Sequence, residues 1–136
     1  MLDVCLPGTG GTVPHLERFL CCCYMRYNGT GLLIDCGEGT QLAVKKAGFS
    51  LGKIGTILLT HFHADHCSGL AGLLLSMGNE GHTEPLLICG PKCVDEIVKA
   101  LANRAETKQC DIHETILSFL SLFEGQVSFC PSPKNT

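Results

Sequence analysis

The sequence predicts a mixed α/β (α+β) fold in one domain. Three observations lead there: short apolar runs rich in β-branched residues recur along the chain, segments of helical period lie between them, and 45% of the 136 residues are hydrophobic. A chain of this length buries a real core.

Leu2 to Leu6 reads as a strand that ends in the turn-rich Pro7-Gly8-Thr9-Gly10-Gly11. Pro7 offers no backbone donor and weakens the ladder there. After a loop to about Arg18, Phe19 to Tyr27 forms the first arm of an antiparallel hairpin. Asn28-Gly29 makes its turn and Leu32-Leu33-Ile34 its second arm. Gly37-Glu38-Gly39-Thr40 breaks the strand, and Leu42 to Ala47 is a short helix stopped by Gly48. Thr56 to Thr60 is a buried strand after Gly55. The run from Ser68 to Met77 has helical length, and Ser68 can cap it. Pro85 to Cys89 is a further strand, and Gly90-Pro91 opens a helix with Val94, Ile97, Val98 and Leu101 on one face. Farther on, Asp111 to Leu117 reads as a strand, Phe119 to Phe123 fits helix or strand, and Gln126 to Cys130 reads as a last strand. Residues 1–130 are expected to form the domain and 131–136 an unstructured tail.

Composition limits the function classes. Ten cysteines, three of them consecutive at Cys21, Cys22 and Cys23, lie in apolar segments without a CxxC pair, so buried reduced thiols are expected rather than a disulfide framework. Cys89 and Cys93 read as packing residues. No apolar run reaches the roughly 20 residues of a membrane-spanning helix. Met1-Leu2-Asp3-Val4 lacks the basic leader of a secretory signal, so a soluble cytoplasmic chain without membrane partners is expected. The net charge of −3 carries no basic stripe that would announce a nucleic acid.

The chemistry lies in His61-Phe62-His63-Ala64-Asp65-His66, between the strand ending at Thr60 and the helix from Ser68. In extended chain, residues two apart share a side, so His61 and His63 can serve one metal while Phe62 turns away. A turn at Ala64 lets Asp65 and His66 face a neighbouring ion. Imidazole with carboxylate suits zinc first. Two such ions can hold a hydroxide and polarise a phosphoryl or acyl group, and Asp65 is placed to accept a proton from the attacking water. A catalytic zinc takes about three protein ligands, so two need five or six where this segment supplies four. His82 sits in a loop of exposed composition, His113 on a solvated strand face, and His15 in the first loop; none is expected to ligate.

Thr60 to His66 resembles the HxHxDH signature of the metallo-β-lactamase superfamily, an αββα sandwich with a dinuclear metal site. Gly8-Thr9-Gly10-Gly11 with Pro14, the LLIDCGEGTQ stretch from Leu32 to Gln41, the SGLAGLL helix start, and Pro85-Leu86 with Gly90-Pro91 resemble ribonuclease Z more narrowly, over about residues 1 to 105. The resemblance implies zinc-dependent endonucleolytic removal of the 3′ trailer from precursor tRNA. It implies two Zn2+ ions, with His61 and His63 on one, Asp65 and His66 on the other, and Asp65 as proton acceptor. Asp35, Glu38, Gly39 and Thr40 would lie close behind the metals, although a capped helix start explains them equally. The resemblance allows a homodimer. Because the family's later ligands have no match here, the chain is expected to supply about the amino-terminal half of the sandwich, to expose one sheet face, and to be inactive alone. Two other readings remain open: the same fold acting on another phosphodiester, a thioester or a lactone, and a non-catalytic metal-binding fragment.

Overall fold

The computed structural model describes residues 1–103 and 127–131, and side chains through Val98. The expected strands at Asp111 to Leu117 and the ambiguous Phe119 to Phe123 lie outside the described residues, as do His113 and residues 132–136. Among the described residues, six strands form one mixed sheet in chain order. They are β1 (Leu2–Gly8), β2 (Cys22–Tyr27), β3 (Thr30–Ile34), β4 (Ile54–Leu58), β5 (Leu86–Gly90) and β6 (Val127–Pro131). The first three are antiparallel, and β3 through β6 run parallel. The helices are α1 (Thr40–Lys46), α2 (Ala64–Cys67), α3 (Leu70–Asn79) and α4 (Val94–Asn103).

The hairpin follows from its turn. Asn28 at φ 49° and Gly29 at φ 84° take the left-handed backbone that a two-residue turn needs, and Tyr27 then pairs with Thr30. Pro7 falls where the β1–β2 register shifts, between Cys5 and Gly8, on an edge strand that tolerates a missing donor.

Two helix starts differ from expectation. Ser68 closes α2, and the N-cap of α3 is Gly69 with no side-chain cap, because the chain turns helical earlier, at Ala64. The capped start expected for α1 is also absent. Its N-cap is Gly39 at φ 82°, and the Thr40 hydroxyl donates to the Gly37 carbonyl at 2.7 Å.

Alternation along the strands separates two faces. Cys22 and Tyr24, Leu33, Ile57, Leu86 and Ile88 point to one side, where they meet Val44, Leu70, Leu73, Met77 and Val94 in the core. The pairing register puts Leu2, Val4, Met25, Tyr27, Leu32, Ile34, Leu58, Leu87 and Cys89 on the other. Leu2, Val4, Tyr27 and Leu58 there are exposed, and the rest are only half-buried. An apolar sheet face this broad is the open face expected of half a sandwich.

No disulfide joins the eight cysteines whose side chains are described. Cys22, Cys36 and Cys67 are buried as expected, whereas Cys5, Cys21, Cys23, Cys89 and Cys93 are only half-buried: Cys23 and Cys89 sit on the open face, Cys5 on the edge strand β1, and Cys21 and Cys93 outside the strands. Burial pushes the Cys36 thiol up and raises Cys22 from about 9 to about 11. A thiol raised on folding contributes stability below its unfolded value and loses it as pH climbs through the folded one. Denaturant melts are therefore expected to show stability falling between about pH 9 and 11. Cys22 accounts for ~2–3 kcal/mol of that at about 1.4 kcal/mol per pH unit, and Cys22→Ala flattens the slope.

Candidate metal centre

The site forms where adjacent parallel strands end. Ile34 pairs with Leu58, and the Asp35 amide donates to the Leu58 carbonyl at 2.8 Å, so Asp35 and Thr60 emerge side by side at the carboxyl edge of the sheet. Open α/β sheets bind ligands at this edge. Two bonds tie the chain after β3 to the helical turn beyond: Cys36 N–H to the His66 carbonyl at 2.7 Å and Gly69 N–H to the Cys36 carbonyl at 2.9 Å.

The histidine loop holds three rings together. Phe62 packs against the core, while the His61 ring lies 4.6 Å from His63 and 4.1 Å from His66, centroid to centroid. The His66 Nε2 to Asp65 Oδ2 distance is 3.8 Å. His63 is exposed, and His61, Asp65 and His66 are half-buried.

Asp35 organises this loop from behind. It is 5% exposed and accepts the Thr60 amide on Oδ1 at 2.8 Å and the Thr60 hydroxyl at 2.9 Å. Its Oδ2 lies 2.8 Å from His66 Nδ1. An ionised carboxylate only accepts, so His66 carries its proton on Nδ1 and leaves the Nε2 lone pair free. The Thr60 hydroxyl spends its one proton on Asp35, so toward His61 Nδ1, 2.9 Å away, it also accepts. That fixes His61 in the same tautomer. Both rings thus present an unprotonated Nε2, the form a metal requires. The donor set suits a zinc-type cation.

Asp65 is held from the other side. The Thr12 amide donates to its Oδ2 at 2.9 Å, and this bond, ahead of the nearby His66 and His63, keeps the Asp65 carboxyl below the usual range. Thr12 adopts φ 68° to reach it and Asp35 adopts φ 61°. Left-handed backbone at a non-glycine residue costs of order 1–3 kcal/mol, and both instances lie against the histidine loop.

Of the residues expected behind the metals, Asp35 touches the loop directly. Thr40 is buried and bonded to Gly37, Gly39 turns the chain against Phe19, and Glu38 is exposed. His15 is exposed as expected. His82, expected in an exposed loop, is instead buried at 9% exposure, its amide bonded to the Met77 carbonyl where the loop folds back onto α3. Sequence reasoning overlooked three contributors: Thr60 as the link to His61, Thr12 as the donor to Asp65, and Cys21. The Cys21 sulfur, an Asp35 oxygen and a His66 nitrogen all lie within 4.8 Å of one another. Register could have revealed Cys21, since counting back from Tyr27 opposite Thr30 sets it across from Cys36, beside Asp35.

A mixed sheet with a histidine-rich loop at its carboxyl edge is the amino-terminal part of a metallo-β-lactamase fold. The chain belongs to the family described as Anti-Pycsar protein Apyc1, whose model matches residues 2–127. Over 101 residues, 74% of the chain, it is 56% identical to ribonuclease Z of Agathobacter rectalis and 54% identical to that of Lachnoclostridium phytofermentans. It spans about a third of the length of each, 33%. The crystal structure of human tRNase Z, short form, superposes with a TM-score of 0.70 at 33% identity, covering 79% of this chain and 40% of that one. The Bacillus subtilis metallo-β-lactamase fold protein YhfI, 16% identical, shares the fold at a TM-score of 0.67, covering 99% of this chain and 46% of its own. The resemblance to ribonuclease Z read from the motifs is borne out.

Proposed function

We propose that this chain carries the histidine half of a two-zinc phosphodiesterase centre that removes the 3′ trailer from precursor tRNA. The observation that carries the reading is the Asp35–Thr60 network, which fixes His61 and His66 with Nε2 free beside His63 and Asp65. Such a network has a use only if those nitrogens bind something. Similarity to enzymes named ribonuclease Z supplies the substrate.

In this reading His61 and His63 hold one zinc, and Asp65 and His66 the other. When bound, the pair ionises water and polarises the scissile phosphodiester. Asp65 accepts the proton of the attacking water, and the Thr12 amide keeps its carboxylate ionised and aimed for that step. Asp35 positions the rings, and Glu38, Gly39 and Thr40 shape the turn behind them. Residues 1–130 act as part of a sandwich, with a second sheet on the open apolar face. The remaining ligands come from outside the described residues, and the complete enzyme works in the cytoplasm, as a homodimer. No helix among the described residues is long and apolar enough to cross a membrane.

Purified chain is expected to bind zinc and to cleave precursor tRNA little or not at all. Exchanging His61, His63, Asp65 and His66 together for alanine removes the zinc measured by elemental analysis. Zinc retained by that variant would sink the metal assignment, and robust cleavage by the 136-residue chain would sink the incomplete ligand set. A second reading keeps the fold and changes the substrate to another phosphodiester, a thioester or a lactone, since the same metal pair serves several hydrolyses. A substrate panel run on a complete protein bearing these residues separates the two.

A further inference from the structure

The proposed two-zinc centre gives Cys21 no role, yet its thiol reaches the same edge of the sheet. Cys21 lies just before β2 and is half-buried, unlike its neighbours Cys22 and Cys36. Its sulfur shares a space no wider than 4.8 Å with an Asp35 oxygen and a His66 ring nitrogen. Thiolate, imidazole and carboxylate are the donors zinc takes, at about 2.3, 2.0 and 2.1 Å. Donors at those lengths around one tetrahedral ion sit roughly 3.4 Å apart. Side-chain rotation that draws the thiol in and parts the Asp35–His66 pair slightly brings the three donors to that spacing, while the Cys36–His66 backbone bond holds α2 against the sheet edge.

We propose that Cys21, Asp35 and His66 form a second site, for a thiophilic divalent cation such as Zn2+ or Cd2+, and that it competes with the histidine centre for His66. Asp35 meets His66 through Nδ1, at 2.8 Å. An ion seated beside Asp35 therefore takes Nδ1, and the proton there moves by way of solvent to Nε2. A neutral imidazole protonated on Nε2 has no lone pair to offer the histidine loop. The Cys21 thiol loses its proton to water, so filling the site releases one proton per ion. The carboxylate keeps an oxygen for the Thr60 amide, so His66 is what the two sites contest. Excess thiophilic metal would then disable the centre that catalytic metal builds.

Anaerobic Co2+ titration tests this on the 136-residue chain, because a cobalt–thiolate bond gives a near-ultraviolet charge-transfer band that histidine and carboxylate ligands do not. The band is expected in the unaltered chain and in His61→Ala/His63→Ala, and should be lost in Cys21→Ser and Cys21→Ala. A pH-stat should record one proton released per ion. Should the double variant fold poorly by circular dichroism, His63→Ala alone serves, since His63 is exposed. No band in the unaltered chain overturns the proposal, as does a band that survives in Cys21→Ser. A band abolished in folded His61→Ala/His63→Ala also overturns it, by making Cys21 a ligand of the histidine centre. The two-zinc reading fails separately, if His61→Ala/His63→Ala, which leaves Cys21, Asp35 and His66 intact, loses none of the zinc that the unaltered chain binds.

Discussion

Asp35→Asn is expected to lower zinc affinity by about ten- to a hundredfold, the usual cost of losing a group that orients a metal-bound histidine. Asparagine matches aspartate in size and tolerates the left-handed φ of 61° found at this position, so the backbone survives. Its remaining carbonyl oxygen still accepts the Thr60 amide. The amide nitrogen, however, takes the place of Oδ2, 2.8 Å from His66 Nδ1. Two donors cannot face each other, so His66 gives up its Nδ1 proton to accept the bond, and the proton moves to Nε2. The ring then turns an N–H toward the metal. Competition titration against a chelator measures the loss, and thermal melting checks that stability changes by no more than ~1–3 kcal/mol. An unchanged affinity in a folded variant would show that the network does not set the tautomer. Asp35→Ala should do worse on both counts, because alanine is strained at that φ and leaves the part-buried Thr60 amide without its acceptor.

Much of this site could be read from the sequence because spacing is local. His61 and His63 share a side of extended chain, Phe62 turns to the core, and the helical turn begins at Ala64, all within six residues. The hairpin was equally plain, since Asn28-Gly29 determines both the turn and every pair beyond it. Strand ends moved by a residue or two: the run read as Thr56 to Thr60 is β4 from Ile54 to Leu58, because beyond Leu59, whose amide still bonds the Cys89 carbonyl, the Thr60 amide turns to the Asp35 carboxylate instead of β5. What escaped notice depends on contacts across the fold. Thr12 and Asp65 are 53 residues apart, and Asp35 and His66 are 31 apart. Nothing in local periodicity reports such distances. His82 illustrates the opposite error: a polar loop composition suggested exposure, whereas the turn at Gly81 carries the ring into the protein.

Gly37 shows how spatial contact gives a residue a second meaning. In the sequence it breaks a strand. In the fold it lets two loops touch, because a Cβ built there would fall 2.4 Å from the Asp65 carbonyl oxygen and 2.4 Å from Leu20 Cβ. Neither neighbour is the loose end of a flexible side chain. Gly37→Ala must therefore push the strand-end loop and the histidine loop apart, stretching the Cys36–His66 backbone bond beside them. We expect a destabilisation of ~3 kcal/mol or more, above the common range for overpacking because the obstruction is backbone. In a chain of this size that is a fall of roughly 10 °C in Tm. Zinc affinity should drop with it, since Asp65 and His66 move as the loops separate. Gly52→Ala is the control, as its added Cβ meets only the Ser50 hydroxyl at an ordinary 3.6 Å. Equal melting temperatures for the two variants would mean that the loops are not packed this closely, and that the proposed ligands owe their placement to the Asp35 hydrogen bonds alone.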